Sequence, residues 1–279
     1  MNSTEFEFIS GLIKDGSGLV LTPDKVYLLE SRLGPVAHKY GHANLDALIG
    51  ALRLTPRGQM LIDVVEAMTT NESFFFRDGK PFDMFRTKFL PEILARNEAT
   101  RTLRIWCAAA STGQEPYSLA MLLQEEAKKL EGWNCQILAT DISNEALERA
   151  RSGIYTHFEV QRGLAIQRLI RFFEKQGELW QIKPDIRNMV QYRQFNLLHD
   201  PRPFGRFDVV FCRNVLIYFD QPTKTRVLNS ISTVLDKDGI LLLGGAETVF
   251  GISDVFRPVA DHFGVYSLAP AESLIKRAG

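Results

Sequence analysis

Cysteine is scarce in this chain, with three in 279 residues, at Cys107, Cys135 and Cys212, no two of them close in sequence. Such spacing excludes a disulfide framework and a cysteine-based metal site. The odd number, lying in apolar stretches that read as central strands, points to reduced core thiols in a reducing, cytoplasmic compartment. The five histidines are scattered too, so no metal is expected, and His199 is read as structural or solvent-facing. Charge of one sign is also missing: 33 basic residues balance 33 acidic ones, which argues against nucleic acid as a partner. No apolar run reaches the about 18 residues of a spanning helix. The opening stretch MNSTEFEFISGLIKDGSG carries acids and no basic start, so it predicts no signal peptide. There is no internal repeat. A soluble, cytoplasmic monomer is expected, with no direct membrane insertion.

What is present is concentrated at Leu103–Glu115, LRIWCAAASTGQE. An apolar strand (Leu103, Ile105, Trp106, Cys107) runs into small residues and one glycine, then into a helix expected over Pro116–Leu130. Strand, small-residue turn and helix N-terminus make the ligand crevice of a doubly wound α/β sheet. Asp141 ends the next apolar strand, Cys135–Thr140, where such folds hold ribose hydroxyls. A dinucleotide site needs G-x-G-x-x-G so that amides approach a pyrophosphate. Here Gly113 stands alone, and Glu115 occupies the place where a phosphate would meet the helix dipole. A carboxylate there repels phosphate but accepts hydrogen bonds from an ammonium. S-adenosylmethionine, with an ammonium, a ribose and no phosphate, suits this loop better than NAD. The competing reading is that Gly113 only lets helix and strand pack, with Glu115 a first-turn dipole partner.

The organisation changes near residue 75. Before it, Phe6, Ile9, Leu12 and Ile13 repeat at helical spacing, Thr22-Pro23-Asp24 reads as a helix start, and Leu45–Leu52 and Gln59–Met68 supply two more apolar helical faces. Lys25, Arg32 and Lys39, seven residues apart, form one basic stripe if their helix is continuous. Gly34-Pro35 is expected to interrupt it, and an ordinary solvated face competes with a docking surface. After residue 80, helix and strand alternate: a helix over Pro81–Leu94, the strand at 103–107, the helix at 116–130 and the strand at 135–140. A helix over Asn144–Arg151, the strand Phe207–Cys212, the helix Pro222–Leu235, the strand Ile240–Leu243 and an antiparallel pair within 255–268 follow. This alternation implies a parallel sheet covered on both faces. Leu179–Ile182 and Met189–Tyr192 break the rhythm and read as two antiparallel strands joined by Lys183-Pro184-Asp185, a small insertion. The expected domains are a helical 1–70, a linker 71–82, and an α/β domain 83–279 with 160–196 inserted.

Further polar groups gather around the crevice. The linker Thr69–Arg77 is dense in polar and aromatic residues for a mere spacer. The segment Phe211–Asp220 leaves a hydrophobic strand at its carboxyl end, the ligand side of such a sheet. Asn196, on the strand leading out of the insertion, is placed to offer an amide to an adenine edge. Against this, core packing explains the linker phenylalanines and competes for Tyr218. A domain-interface contact competes for Asn71, Arg77 and Arg213.

TTNESFFFR, RIWCAAASTGQEPYS, ATDIS, ARSGIY, FDVVFCRNVLIYFD and GGAET, in this order, resemble the CheR family of chemotaxis receptor methyltransferases over almost the whole chain. The resemblance implies an all-helical N-terminal domain, a linker, and a Rossmann-like S-adenosylmethionine-dependent methyltransferase domain with an inserted antiparallel β-subdomain. It implies methyl transfer to glutamate side chains on cytoplasmic chemoreceptor helices, giving γ-glutamyl methyl esters and S-adenosylhomocysteine. It also implies that Asn71, Ser73 and Arg77 contact cofactor or substrate from the linker, with Ser73 where the family more often has threonine. Glu115 would hold the methionine ammonium and Asp141 the ribose. Asn196, Leu197, Arg213 and Asn214 would line the adenosine and sulfonium side, and Arg77 and Tyr218 would meet at the transfer centre. Some members grip a receptor C-terminal peptide through a Gly-rich loop of the β-subdomain. The matching stretch here, Phe172–Trp180, has one glycine and is shorter, so tether-independent action is expected, aided by Lys25, Arg32 and Lys39. The alternatives are a non-catalytic S-adenosylmethionine-binding regulator, or a methyltransferase for another substrate.

Overall fold

In the computed structural model, which describes residues 2–270, the chain forms two compact units. One holds the residues up to Thr70 together with Tyr218–Lys224; the other holds Asn71–Ile217 and the residues from Thr225 onward. Residues 271–279, assigned above to the second domain, lie outside the described residues.

The helical unit opens with α1 (Ser3–Ser17), started by a reciprocal cap between Asn2 and Glu5 and stopped by Gly18 at φ +81°. A Cβ at Gly18 would lie 2.8 Å from the Thr223 side chain, so glycine serves both the left-handed turn and the close approach. A 3-10 turn, Pro23–Lys25, leads into α2 (Val26–Lys39), and Thr22 provides no side-chain cap. The expected break at Gly34-Pro35 does not occur: α2 runs through Pro35. Leu33, Val36 and Ala37 are buried around it, and that packing offsets a proline cost of about 3 kcal/mol. Then come α3 (Leu45–Leu54), capped by the Asn44 side chain, and α4 (Gln59–Ala67). Ile9, Ile13, Leu29, Leu33, Leu48, Leu52 and Val64 form the core of this unit.

Two of the three stripe residues have partners within the helical unit. Arg32 Nη1 donates to the carbonyls of Met68 (2.8 Å) and Thr69 (2.9 Å), capping the end of α4, and Lys39 pairs with Asp63. The partners of both residues are non-local, which is why heptad spacing alone could not reveal them.

The α/β unit starts with α5 (Lys80–Met84), a π turn over Phe85–Phe89 and α6 (Leu90–Arg96). There follow β1 (Thr102–Ala108), α7 (Gln114–Glu125), β2 (Asn134–Asp141), α8 (Asn144–Ser152), β3 (Ile154–Thr156), α9 (His157–Gln161) and α10 (Ile166–Phe172). Next are β4 (Phe173–Gln176), β5 (Leu179–Ile182), α11 (Pro184–Arg187), β6 (Val190–Gln194), β7 (Phe207–Cys212), α12 (Gln221–Ser232), β8 (Leu235–Leu243), β9 (Phe256–Pro258) and β10 (Val265–Leu268). The seven-stranded sheet has the order β6-β2-β1-β7-β8-β10-β9. Its first five strands are mutually parallel, and β10 and β9 are antiparallel additions, the pair expected near the end of the chain. The order reverses at β1, which places the switch point of the doubly wound fold there.

The insertion differs from expectation. Residues 190–192 belong to β6, with Met189 in the turn before it, and β6 runs parallel to β2 in the large sheet, from Ile137↔Val190 to Asp141↔Gln194. The small sheet is instead β3-β5-β4, and Lys183-Pro184-Asp185 opens α11 with proline in its first turn. Period-two alternation marks a strand without naming its partner. Two helices also end early. α7 stops at Glu125, with turns over 126–132, and α12 stops at Ser232 because Leu235 already belongs to β8. Cys107 and Cys212 are free and fully buried, and burial pushes their thiols far up. No helix among the described residues is long and apolar enough to cross a membrane.

Candidate active site

The parallel strands β6, β2, β1, β7 and β8 deliver their carboxyl ends to one edge of the sheet. Asp141 ends β2, and Glu115, Asn196, Arg213 and Asn214 come after the ends of β1, β6 and β7, whereas Asn71, Ser73 and Arg77 belong to the linker before α5. After β1 the chain turns sharply: Ala109, Ser111 and Gly113 have φ of +68°, +52° and +96°. A left-handed alanine costs about 1–2 kcal/mol, and such strain persists where the surroundings over-determine it. Here it aims Ser111 N at Asp141 Oδ2 (2.7 Å) and Ala110 N at the Thr140 carbonyl (2.8 Å). Ser111 Oγ donates to the Asn71 carbonyl at 2.8 Å, tying the linker to this loop. A Cβ at Gly113 would sit 2.9 Å from both Ala150 Cβ and the Tyr192 hydroxyl. Packing therefore demands this glycine: it seats the loop on α8, as the packing reading of Gly113 expects.

Asp141, the last residue of β2, is buried and also accepts from Ser143 N at 3.0 Å. Burial pushes its carboxyl pKa up, opposed by those two amides. Glu115, the second residue of α7, is buried as well, and its Oε2 meets Arg213 Nη1 at 2.7 Å. Burial raises its pKa, with Arg213 opposing. Arg213 Nη2 reaches Asp78 Oδ2 (2.6 Å) and the Arg77 carbonyl (3.0 Å). Its buried Nε has no hydrogen-bond partner among the described residues. Two carboxylates around one guanidinium leave this corner with surplus negative charge.

The linker residues take several places. Phe75 and Phe76 are core residues, and Phe76 N donates to Ser118 Oγ at 2.9 Å. Phe74 is half-buried with two cations against it, Arg162 at 4.4 Å and Arg77 at 5.4 Å from the ring centroid. Arg77 Nη1 also donates to the Glu72 carbonyl at 3.0 Å. Ser73 is half-buried on the same segment. Asn196 and Leu197 follow β6, with Asn196 Oδ1 accepting from Leu198 N at 3.0 Å. Tyr218 ends a 3-10 turn, Leu216–Tyr218, and groups with the helical unit, where its carbonyl accepts from Val20 N at 2.9 Å. No metal-holding cluster of His, Cys, Asp or Glu occurs among the described residues.

Two residues carry more of this edge than sequence reasoning assigned them. Asp78 is the second acid on Arg213. Glu247, inside the GGAET block, is buried and accepts from five backbone amides. Its signal was visible in outline: paired glycines at the end of a strand with a carboxylate three positions after the first. A Cβ at Gly244 would lie 2.7 Å from Glu247 Oε2, so the first glycine is obligatory.

The family described as "CheR methyltransferase, all-alpha domain" matches residues 4–69, and "CheR methyltransferase, SAM binding domain" matches residues 71–264. A chemotaxis protein methyltransferase of Pseudomonas aeruginosa is 40% identical over 261 residues, 92% of this chain and 94% of its own length. One from Pseudomonas putida is 39% identical over 259 residues, covering 91% and 94%. One from Vibrio parahaemolyticus is 38% identical over 268 residues, covering 95% and 96%. With both domain families matched in order and relatives of this similarity aligned nearly end to end, the chain belongs to the CheR methyltransferase family and carries its S-adenosylmethionine-binding domain.

Proposed function

We propose that this protein methylates glutamate side chains on the cytoplasmic helices of chemoreceptors, forming γ-glutamyl methyl esters in the cytoplasm. The observation that carries this reading is the buried charge at the carboxyl edge of the sheet, in a chain whose near full-length relatives are named chemotaxis methyltransferases. S-adenosylmethionine, when bound, supplies a methyl group already activated by its sulfonium. The residues present fit it chemically. Asp141 is an anionic acceptor for ribose hydroxyls. The surplus negative charge of Glu115 and Asp78 around Arg213 suits an ammonium, and the unpartnered Arg213 Nε is a donor for an oxygen of the ligand. Asn71, Ser73, Asn196, Leu197 and Asn214 are assigned to the remaining surface of the cofactor.

Arg77 and Tyr218 are assigned to the acceptor. A glutamate side chain has a pKa near about 4.3 and is already an oxyanion at neutral pH, so no general base is required. The protein's task is to align the acceptor oxygen with the methyl carbon and exclude water. The planar fork of Arg77 suits a carboxylate. Because that charge is lost in the transition state, Arg77 should position the acceptor without gripping it tightly. The rate should therefore vary little from mildly acidic to mildly alkaline pH. Tether independence is part of this proposal. The turn between β4 and β5 is only Gly177-Glu178, since Gln176 pairs directly with Leu179, leaving little open backbone for an added strand. With Arg32 and Lys39 engaged within the helical unit, recognition is assigned to the methylated helix itself.

The test is to incubate labelled S-adenosylmethionine with receptor cytoplasmic fragments, with RNA and with buffer alone. Base-labile label on the receptor fragment, with or without its C-terminal peptide, is the expected result. Label on RNA, or cofactor binding with no transfer to any protein, would refute the reading.

A further inference from the structure

The GGAET block has no part in the function proposed so far, yet it holds the most heavily satisfied carboxylate of the α/β unit. Glu247 Oε1 accepts from the amides of Val215 (2.9 Å), Leu216 (2.7 Å) and Ile217 (3.3 Å), and Oε2 accepts from Asn214 (2.8 Å) and Gly244 (2.7 Å). Four consecutive amides pointing at one carboxylate form an anion-binding nest, occupied here by the chain's own side chain. Nothing in this arrangement is needed to form β8, which has ended at Leu243. What it does fix is the path of the chain after β7. Asn214 is left-handed at φ +58°, a conformation asparagine tolerates better than most residues. The turn lies between Arg213, whose guanidinium is committed to Glu115 and Asp78, and the 3-10 turn ending at Tyr218. Without the carboxylate, four buried or half-buried amides would face one another with no acceptor, and the 214–217 segment would be free to reorganise.

We propose that Glu247 is a positioning residue for methyl transfer: a built-in anion whose carboxylate sets the 214–217 loop and thereby the placement of Arg213 and Asn214. This rests on the proposed roles of those two residues. The nest makes a specific demand. Glu247→Ala leaves a cavity lined by amide donors, which a small carboxylate can refill.

The experiment compares wild type, Glu247→Ala and Glu247→Gln in the full-length protein. Three quantities are followed with and without formate, using chloride as the ionic-strength control: melting temperature, calorimetric affinity for S-adenosylmethionine, and methyl transfer to a receptor fragment. Displacement of a reacting group by even about 1 Å can lower turnover about 100-fold, so Glu247→Ala should fall by that order in kcat. Formate, and not chloride, should raise its melting temperature and restore cofactor affinity and part of kcat, while leaving wild type unchanged. Glu247→Gln keeps the oxygen that serves Val215, Leu216 and Ile217 and sets an amide group against Asn214 and Gly244. It should show an intermediate loss in kcat, and it carries the test alone if the alanine variant does not fold. Wild-type kcat in either folded variant overturns the proposal, as does a melting temperature restored by formate with cofactor affinity and kcat still depressed, or no formate effect at all. If wild type itself transfers nothing to the receptor, the functional reading fails. The melting and affinity readouts then still decide whether Glu247 positions the cofactor loop.

Discussion

Among the described residues of the helical unit, the buried side chains are apolar apart from Ser17, and the ion pairs Lys14–Asp220 and Lys39–Asp63 stay at the surface. In the α/β unit, Glu115, Asp141, Arg213 and Glu247 are each less than a tenth exposed, and all four lie at or beyond the carboxyl ends of parallel strands. Burying an ion costs several kcal/mol after relaxation, roughly what a whole hydrophobic side chain returns. The helical unit avoids that cost and is stabilised by ordinary packing. The α/β unit bears it mainly at that edge, where burial pushes the carboxyls of both Asp141 and Glu115 up; the buried charge at the other end of β7, Asp208, is paired with Arg96 at 2.7 Å. Charge retained against its own desolvation, concentrated where a doubly wound sheet binds ligands, is what separates a site from a scaffold.

The comparison breaks first at Arg213. Arg213→Ala strands the Glu115 carboxylate in the interior and should cost about 3–5 kcal/mol of stability by denaturant titration. Adding Glu115→Gln to that variant should recover part of the loss. If Arg213→Ala is nearly neutral, the buried cluster is not a coupled unit. Next comes Arg77→Ala, which removes a half-buried group that makes no ion pair within 4 Å among the described residues and acts on buried Glu115 only as a minor influence on its carboxyl. It should lower kcat for methyl transfer about 100-fold with the melting temperature nearly unchanged; equal losses of stability and turnover would make Arg77 structural. In the helical unit, Lys39→Ala should leave stability nearly unchanged, since the lysine is exposed. A larger loss would erase the contrast between the units.

The smallest effect concerns acid. The Lys14 hydrogen bond is the main influence drawing the Asp220 carboxyl down to about 2. A carboxyl whose folded pKa lies below the unfolded value of about 3.9 stabilises the fold above that value. That contribution disappears as pH falls through about 2. Asp220→Asn should therefore be less stable than wild type at neutral pH and converge with it in acid. The difference should be modest and shrink in high salt, because the pair is exposed.

Much of this contrast was legible before the fold was known. The small residues before Gly113, the carboxylates at Glu115 and Asp141 and the strand ends are local signals, and they located the edge of the sheet correctly. What escaped was non-local. The partner of β6 is β2, some fifty residues earlier, and alternation in a strand does not encode its neighbour. The helix through Pro35 is decided by the packing of Leu33, Val36 and Ala37. Arg32 looked like a surface charge because the carbonyls it caps, Met68 and Thr69, lie 36 and 37 positions away. Glu247 carries no local signal of its role beyond the paired glycines, since a nest exists only once residues 214–217 turn their amides toward it.

The most direct test of the account is the affinity of Asp141→Ala for S-adenosylmethionine, measured by calorimetry on protein shown to be folded. Asp141 is the buried carboxylate at the end of β2, held by the Ser111 and Ser143 amides and assigned in the proposal to the cofactor's ribose. Losing it should weaken binding by about 1–3 kcal/mol, roughly 5-fold to 150-fold, while the sheet persists. Unchanged affinity in a folded variant would contradict the claim that buried charge at this edge is there to hold the cofactor.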